Sequence, residues 1–276
     1  LGFIEEKFDK TITWSEWFLY AAPFSIIMSI VLFFIMIKLI KPETDVIEGG
    51  KEVIAKQLAE LGPLKGSEIR LIIISITLLF LWATEGALHP FDTTTVTIIA
   101  IALLLAPKIG VYSWSEVERL IPWGTIIVFS VGIALGSVLL NTQGAQWLSD
   151  TTFGTLGLDS MPLLATIAVV TLFNILIHLG FASATSLASA LIPVFIVLAS
   201  TITADGDQQI GFVLIQQFVI SFGFLLPISA PQNMLAYGTG AFTTKDFLKS
   251  GIPLTIIAYI LVMIFSATYW QWIGLL

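Results

Sequence analysis

Two short stretches of this sequence set hydroxyls, an imidazole and amides inside apolar runs. The first is His178-Leu-Gly-Phe-Ala-Ser183-Ala184-Thr185-Ser186-Leu-Ala-Ser189, between Ile175-Leu176-Ile177 and Leu191-Ile192-Pro193. Gly180, Ala182 and Ala184 let main chain come close to a ligand, while Ser183, Thr185 and Ser186 offer hydroxyls at a predicted helix N-terminus. Such a terminus presents unpaired N–H groups and about half a positive charge, so it can hold a carboxylate without a buried Lys or Arg. Small residues also let helices approach one another, and taken alone the stretch is open to that packing account. The second stretch is Leu226-Pro227-Ile228-Ser229-Ala230-Pro231-Gln232-Asn233, followed by Gly238-Thr239-Gly240. Each proline removes a helix donor, and a carbonyl freed in hydrocarbon is costly unless an ion, water or substrate binds it. A plain kink is the simpler account, but two prolines beside Gln232 and Asn233 favour a site.

His178 lies about a turn before the Ser183 break. A charge at bilayer depth costs about 2.5–3.5 kcal/mol on insertion scales, so the ring is either neutral and hydrogen-bonded or paired with an anion. Glu85, His89 and Asp92 cluster in the turn from Thr84 to Thr95, where an interfacial loop is a sufficient explanation. Acyl-transfer chemistry by Ser183 or Ser186 with His178 or His89 would need an exposed nucleophile elbow of the Gly-x-Ser-x-Gly kind, and none is present. A proton or metal-anion antiporter would need a titratable pair at midplane, for which only His178 is obvious. There is no cysteine, which excludes disulfides and thiolate chemistry.

The elements that must position these residues are membrane spans. Of 276 residues 57% are hydrophobic and 11% charged, against roughly 25% charged in a soluble domain, so a water-soluble core cannot absorb the apolar surface. The acidic balance of −7 implies no nucleic-acid role. Runs of about 20 uncharged residues match the roughly 30 Å of hydrocarbon in a bilayer. Spans are predicted at about Trp14–Ile40, Glu68–Ala87, Thr94–Ala106 and Trp123–Leu140, with an amphipathic linker helix between Pro42 and Gly66 built on Ile47, Ile54, Leu58 and Leu61. If residues 163–202 enter and leave by one face, as a hairpin would, ten of the twelve basic residues share a side and only Lys7 and Lys10 lie opposite. The basic side is then cytoplasmic, and the hairpin opens from outside. An internal echo supports a repeat: Glu16-Trp17-Phe18-Leu19 with Pro23-Phe24 matches Asp246-Phe247-Leu248-Lys249 with Pro253-Leu254 at a constant offset of 230. An acidic-aromatic-apolar start followed by proline is also a generic interfacial helix opening.

At the two breaks the sequence resembles the divalent anion/sodium symporter family, over essentially the whole chain. Ser183-Ala184-Thr185 through Leu191-Ile192-Pro193 looks like the family's second Ser-Asn-Thr motif. Pro227-Ile-Ser229-Ala230-Pro231-Gln-Asn233 looks like its Pro-x-Ala/Ser-x-Pro-x-Asn segment, and Asp246-Phe-Leu with Gly251-Ile-Pro253 like its terminal signature. The resemblance implies an all-α polytopic membrane protein with a re-entrant hairpin and a broken transmembrane helix, one half of an inverted-repeat, elevator-type transporter. It implies residues 1–41 as the last helix of a preceding repeat, 42–66 as the cytoplasmic linker, 67–142 as scaffold-type helices and 241–276 as the final helix. Residues 143–240 would be the transport-type region, its hairpin at about 163–202 and its broken helix at about 209–240. Substrate would meet Ser183, Ala184, Thr185, Ser229, Ala230, Pro231 and Asn233, with a cation or its substitute at His178, Ala182 and Ser229. Partners implied are a small dicarboxylate, the bilayer of the plasma (inner) membrane, an N-terminal repeat half of the same carrier, and a second copy in a homodimer. No cofactor is implied beyond sodium as a coupling ion. The family's motif Asn is Ala184 here, which puts sodium coupling in doubt and favours sodium-independent exchange, with His178 the nearest cationic stand-in.

Overall fold

The computed structural model describes residues 1–40, 49–181 and 183–276, with the main chain alone at Thr125, Phe129 and Pro231. Ile47 of the expected linker and Ala182 of the first break lie outside the described residues. Among these residues the protein is helical and has no β-strand. The helices are α1 (Gly2–Phe8), α2 (Trp14–Leu39), α3 (Gly50–Leu61), α4 (Gly66–Ala83), α5 (Thr93–Leu105), α6 (Trp114–Val117) and α7 (Trp123–Asn141). They continue with α8 (Gly144–Phe153), α9 (Leu163–Ile177), α10 (Ala184–Ile202), α11 (Gly206–Ile220), α12 (Pro231–Gly238), α13 (Thr244–Ala267) and α14 (Tyr269–Trp272).

Among the described residues five helical stretches are long and apolar enough to cross a membrane: Trp14–Leu39, Gly66–Ala83, Leu163–Gly180, Ala184–Ile202 and Thr244–Trp272. A sixth arises if Ile126–Asn141 and Gly144–Leu156, bent by 81° at Thr142 and Gln143, count as one. α5, with 13 residues and hence about 20 Å long, is shorter than the bilayer core. The outer surface is apolar in stripes. On α13, Ile252, Ile256, Ile260 and Ile264 are exposed at every fourth position, while Leu254, Ala258, Val262 and Phe265 are buried. A helix apolar on both faces suits hydrocarbon outside and protein inside, which makes this a polytopic α-helical membrane protein.

The chain divides into two compact units. The second unit comprises Thr13–Leu19 and Lys41–Pro122. Here α4 and α5 pack as a pair, with Trp82 Nε1 donating to Thr97 Oγ1 at 3.2 Å. The helix α3 expected in the linker is present, and Ile54, Leu58 and Leu61 are exposed along it.

The first unit comprises Leu1–Ile12, Tyr20–Ile40 and Trp123–Leu276. At its centre α11 is buried along nearly its whole length, and both arms of the 163–202 segment, α9 and α10, pack on it. α9 also packs on α13, and α10 on α7 and α8. Close crossing of α7 over α10 depends on Gly132 against Ser189 and Gly136 against Pro193 and Phe3, where a Cβ has no room. The short helix α1, which apolar patterning does not announce, sets Ile4 into this core. Lys10 Nζ pairs with Asp207 Oδ1 at 2.7 Å, Trp270 Nε1 donates to the Tyr20 carbonyl at 3.0 Å, and Gly211 nests against the Leu275 carbonyl. These contacts gather Lys10, the start of α11 and the end of the chain at one end of the unit. Tyr20 of α2 and Trp270, just past the end of α13, therefore meet at that end.

The internal echo has a local counterpart. At the start of α2, Glu16 Oε2 accepts from Thr13 N at 2.9 Å and Thr13 Oγ1 at 3.0 Å. At the start of α13, Asp246 Oδ2 accepts from Thr243 N at 3.0 Å and Thr243 Oγ1 at 2.7 Å. Thr13 and Thr243 also stand 230 apart, and both helices carry an internal proline, Pro23 and Pro253.

Candidate functional site

The first break is a turn between two helices that each run to span length. α9 tightens into a single 3-10 turn at His178–Gly180, Phe181 and Ser183 are extended, and α10 begins at Ala184. Ser183 is the N-cap, its Oγ accepting from Ser186 N across a long 3.4 Å. The N–H groups of Ala184 and Thr185 precede the helix's own hydrogen-bond ladder, so a helix start stands where the spacing placed it. Ser183, Ala184 and Thr185 are all half-buried.

The second break differs from a kinked helix. α11 ends at Ile220, the chain extends to a 3-10 turn at Pro227–Ser229, Ala230 is extended, and α12 starts at Pro231. Each proline thus stands at the first position of a helical piece, where no N–H donor is needed and the fixed φ is already helical. The prolines open two short helices; they do not strip donors from one long one. α12 has Ala230 as N-cap, with no side chain able to cap it. Ser229 and Ala230 are buried and Asn233 is half-buried.

Tertiary packing brings the two breaks together. A Cβ at Gly223 would stand 3.2 Å from Ser229 Cβ and 3.6 Å from His178 Cε1, and Asn233 Nδ2 donates to the Gly223 carbonyl at 2.9 Å. His178, Ser229 and Asn233 therefore meet around one glycine that sequence reasoning passed over. Gly251, two turns into α13, leaves room for the Phe224 carbonyl beside it. Among the described residues no hydrogen bond links Ser183 or Thr185 to the second break.

A polar face beneath this junction was also missed. Thr171, Asn174 and His178 lie on one face of α9, all buried. Asn174 Nδ2 donates to the Gln216 carbonyl at 3.0 Å, and Gln216 Nε2 donates to Thr171 Oγ1 at 3.1 Å. The signal was available, because three polar residues at helical spacing interrupt an apolar run. No Asp, Glu, Lys or Arg occurs between Asp159 and Asp205 or between Asp207 and Lys245, so the junction is built without formal charge.

Among the described residues neither ring nitrogen of His178 has a hydrogen-bond partner, so no described serine is paired with it as a nucleophile would be. In the second unit, His89 Nε2 lies 2.8 Å from the Leu81 carbonyl, Glu85 and His89 form an isolated bridge, and Asp92 caps α5 by accepting from Thr95 N at 2.8 Å. Asp92 is thus a helix cap.

Known proteins match this chain along its length. A protein from Cupriavidus necator described as a membrane protein is 45% identical over 274 residues, covering 99% of this chain and 53% of its own. The sodium-dependent dicarboxylate transporter SdcS of Staphylococcus saprophyticus is 24% identical, covering 95% of this chain and 52% of its own. The L-tartrate/succinate antiporter of Escherichia coli is 26% identical, covering 100% and 55%. The chain thus spans about half the length of the relatives it matches. The family model described as the sodium:sulfate symporter transmembrane region matches residues 1–276, and the chain belongs to that family of transporters, the divalent anion/sodium symporters.

Proposed function

We propose that this chain forms the C-terminal half of a secondary transporter of small C4 or C5 dicarboxylates such as succinate, malate or 2-oxoglutarate, working as a sodium-independent exchanger. The observation that carries the reading is the meeting of two helix breaks around Gly223, His178 and Ser229 in a region free of formal charge. Substrate carboxylates are held by the N–H groups at the starts of α10 and α12, with the hydroxyls of Ser183 and Thr185 and with Ser229, Ala230, Pro231 and Asn233 completing the contact surface. Ala184 lacks the amide that would frame a sodium ion, and His178 supplies positive charge in its place, with Ala182 and Ser229 as the other expected contributors. The antiporter name of the Escherichia coli relative favours exchange. The reading extends to an elevator-type homodimer in the plasma (inner) membrane, completed by an N-terminal repeat, with the linker at 42–66 on the cytoplasmic side where Lys and Arg concentrate.

The name of the Staphylococcus relative favours a second reading, sodium-coupled symport, in which Na+ is a co-substrate. Uptake of labelled succinate into liposomes holding the intact carrier decides between them. Exchange gives uptake only with dicarboxylate preloaded inside and indifference to sodium. Sodium-driven uptake into empty vesicles selects symport, and no uptake in either condition overturns the substrate class.

A further inference from the structure

Three buried polar atoms near the junction have no partner among the described residues: Asn174 Oδ1, His178 Nδ1 and His178 Nε2. Asn174 is 1% exposed and His178 3%, so solvent at the surface of the fold does not satisfy them. The ring carbon Cε1 and the Ser229 carbonyl both lie beside Gly223, 3.6 and 3.5 Å from where its Cβ would stand, yet neither ring nitrogen bonds to a described residue. If one N–H settles onto that carbonyl, the other nitrogen still needs a partner.

The orientation of Asn174 is fixed. Its Nδ2 is committed to the Gln216 carbonyl at 3.0 Å and lies 3.3 Å from Gln216 Oε1, and Gln216 is held in turn by its bond to Thr171 Oγ1. A flipped amide would set oxygen against oxygen. The free end of Asn174 is therefore an acceptor, one turn before His178 on the same helix face. A water between them would donate to Asn174 Oδ1 and accept from a ring N–H. That arrangement suits the doubly protonated imidazolium, which offers two donors and no acceptor.

The groups around the ring carry no competing charge. α9 contributes Thr171 and Asn174, α11 Gln216, and the second break Ser229. On α13 the ionisable residues are Lys245, Asp246 and Lys249 in its first two turns, and Tyr259, whose hydroxyl donates to the Ala168 carbonyl at 3.2 Å. On α11 the only one is Asp207, in the first turn and paired with Lys10. α10 has none. An isolated imidazolium is unfavourable in such a region until an anion arrives beside it.

We propose that His178, backed by Asn174 and the Gln216–Thr171 pair, is a buried proton site, reached through bound water, that takes up about one proton as a dicarboxylate binds. The proton comes from solvent and ends on the ring nitrogen that lacked one, so the dicarboxylate and its neutralising charge enter together. The inference rests on the dicarboxylate reading above. By linkage, the dicarboxylate tightens proton binding by the same factor as the proton tightens dicarboxylate binding.

The test is calorimetric titration of succinate into the intact, purified carrier at neutral pH in two buffers of different ionisation enthalpy. The wild type is expected to show a buffer-dependent heat equivalent to about one proton per succinate. His178→Gln, which can hydrogen-bond but not titrate, should bind succinate with buffer-independent heat. Asn174→Leu should show reduced proton uptake at neutral pH, recovering on acidification. Thr171→Val, a near-isosteric change that frees only the Gln216 end, should show a smaller change in the same direction and guards against misfolding of the first variant. Wild-type binding with buffer-independent heat, or proton uptake that persists in His178→Gln, overturns the proton site while leaving the transporter reading in place. Absence of binding heat in both buffers overturns the dicarboxylate reading itself, and the proton site falls with it.

Discussion

The helix starts of the second unit and those at the breaks of the first unit face the same need and meet it differently. Every helix begins with N–H groups that its own ladder cannot use. At α4, α5 and α6 of the second unit these are closed by carboxylates. Lys65 N donates to Glu68 Oε2 at 2.8 Å, Thr95 N to Asp92 Oδ1 at 2.8 Å, and Ser113 N to Glu116 Oε2 at 2.8 Å. At the breaks, α10 has one hydroxyl at 3.4 Å and α12 has an alanine. A carboxylate is affordable as a permanent cap where water solvates it, but not in a charge-free interior. There the N–H groups have no carboxylate cap, which is what the proposed contact with a substrate carboxylate requires.

The sharpest way to break this comparison is to remove the hydroxyls at the open start. Ser183→Ala combined with Thr185→Val in the intact carrier would remove the two proposed hydrogen bonds to a charged group, each about 1.5–3 kcal/mol, so succinate should bind at least roughly a hundredfold more weakly. Melting temperature should move little, since a 3.4 Å cap bond contributes at the low end of N-cap values. Unchanged affinity in competition binding would return the first break to a packing role.

The closed starts should respond to acid instead. The Asp92 carboxyl is held below the ordinary carboxylate range by the Thr95 hydroxyl and then the Thr95 N–H, and Glu116 likewise by the Ser113 N–H and hydroxyl. A depressed folded-state value means that the stabilisation is present above the ordinary pKa of about 4 and is lost as pH falls through the folded value. Thermal melting followed down from neutral pH should show a decline below about pH 4 that Asp92→Asn and Glu116→Gln make shallower, with transport at neutral pH unaffected. A transport defect in either variant would mean that the closed starts also serve the site.

The smallest effect is expected at the Lys10–Asp207 pair, whose side chains are 49% and 68% exposed. Lys10→Ala should cost at most about 0.5 kcal/mol by denaturant titration, less in high salt. A larger loss would show that α1 is held by this pair and not by the burial of Ile4.

Much of the architecture was legible in the residues because membrane solvation is a strong, local filter. Uncharged runs named the helices α2, α4, α5 and α7 within a few residues, though α5 falls short of span length, and Ser183 before Ala184 and Thr185 announced a helix start that the structure confirms. Thr13 and Thr243, each three residues before a carboxylate, show why the echo at offset 230 is visible: both copies need the same cap. The prolines misled in detail, because a proline that kinks a helix and one that begins a helix look alike until the preceding residue's conformation is known. α1 was invisible, since seven mixed residues gain their helix only from the core that receives Ile4.

Sequence alone determined that the chain crosses a membrane, where its helices are interrupted and which side chains stand at the interruptions, because hydropathy, proline and capping act over a few neighbouring residues. Only the tertiary structure decided that the interruptions meet around Gly223 and that Asn174 turns an oxygen toward the interior. Those facts depend on contacts between residues tens of positions apart, such as Asn174 with Gln216 and His178 with Gly223, and no local pattern encodes which distant segment will fill the space beside a glycine.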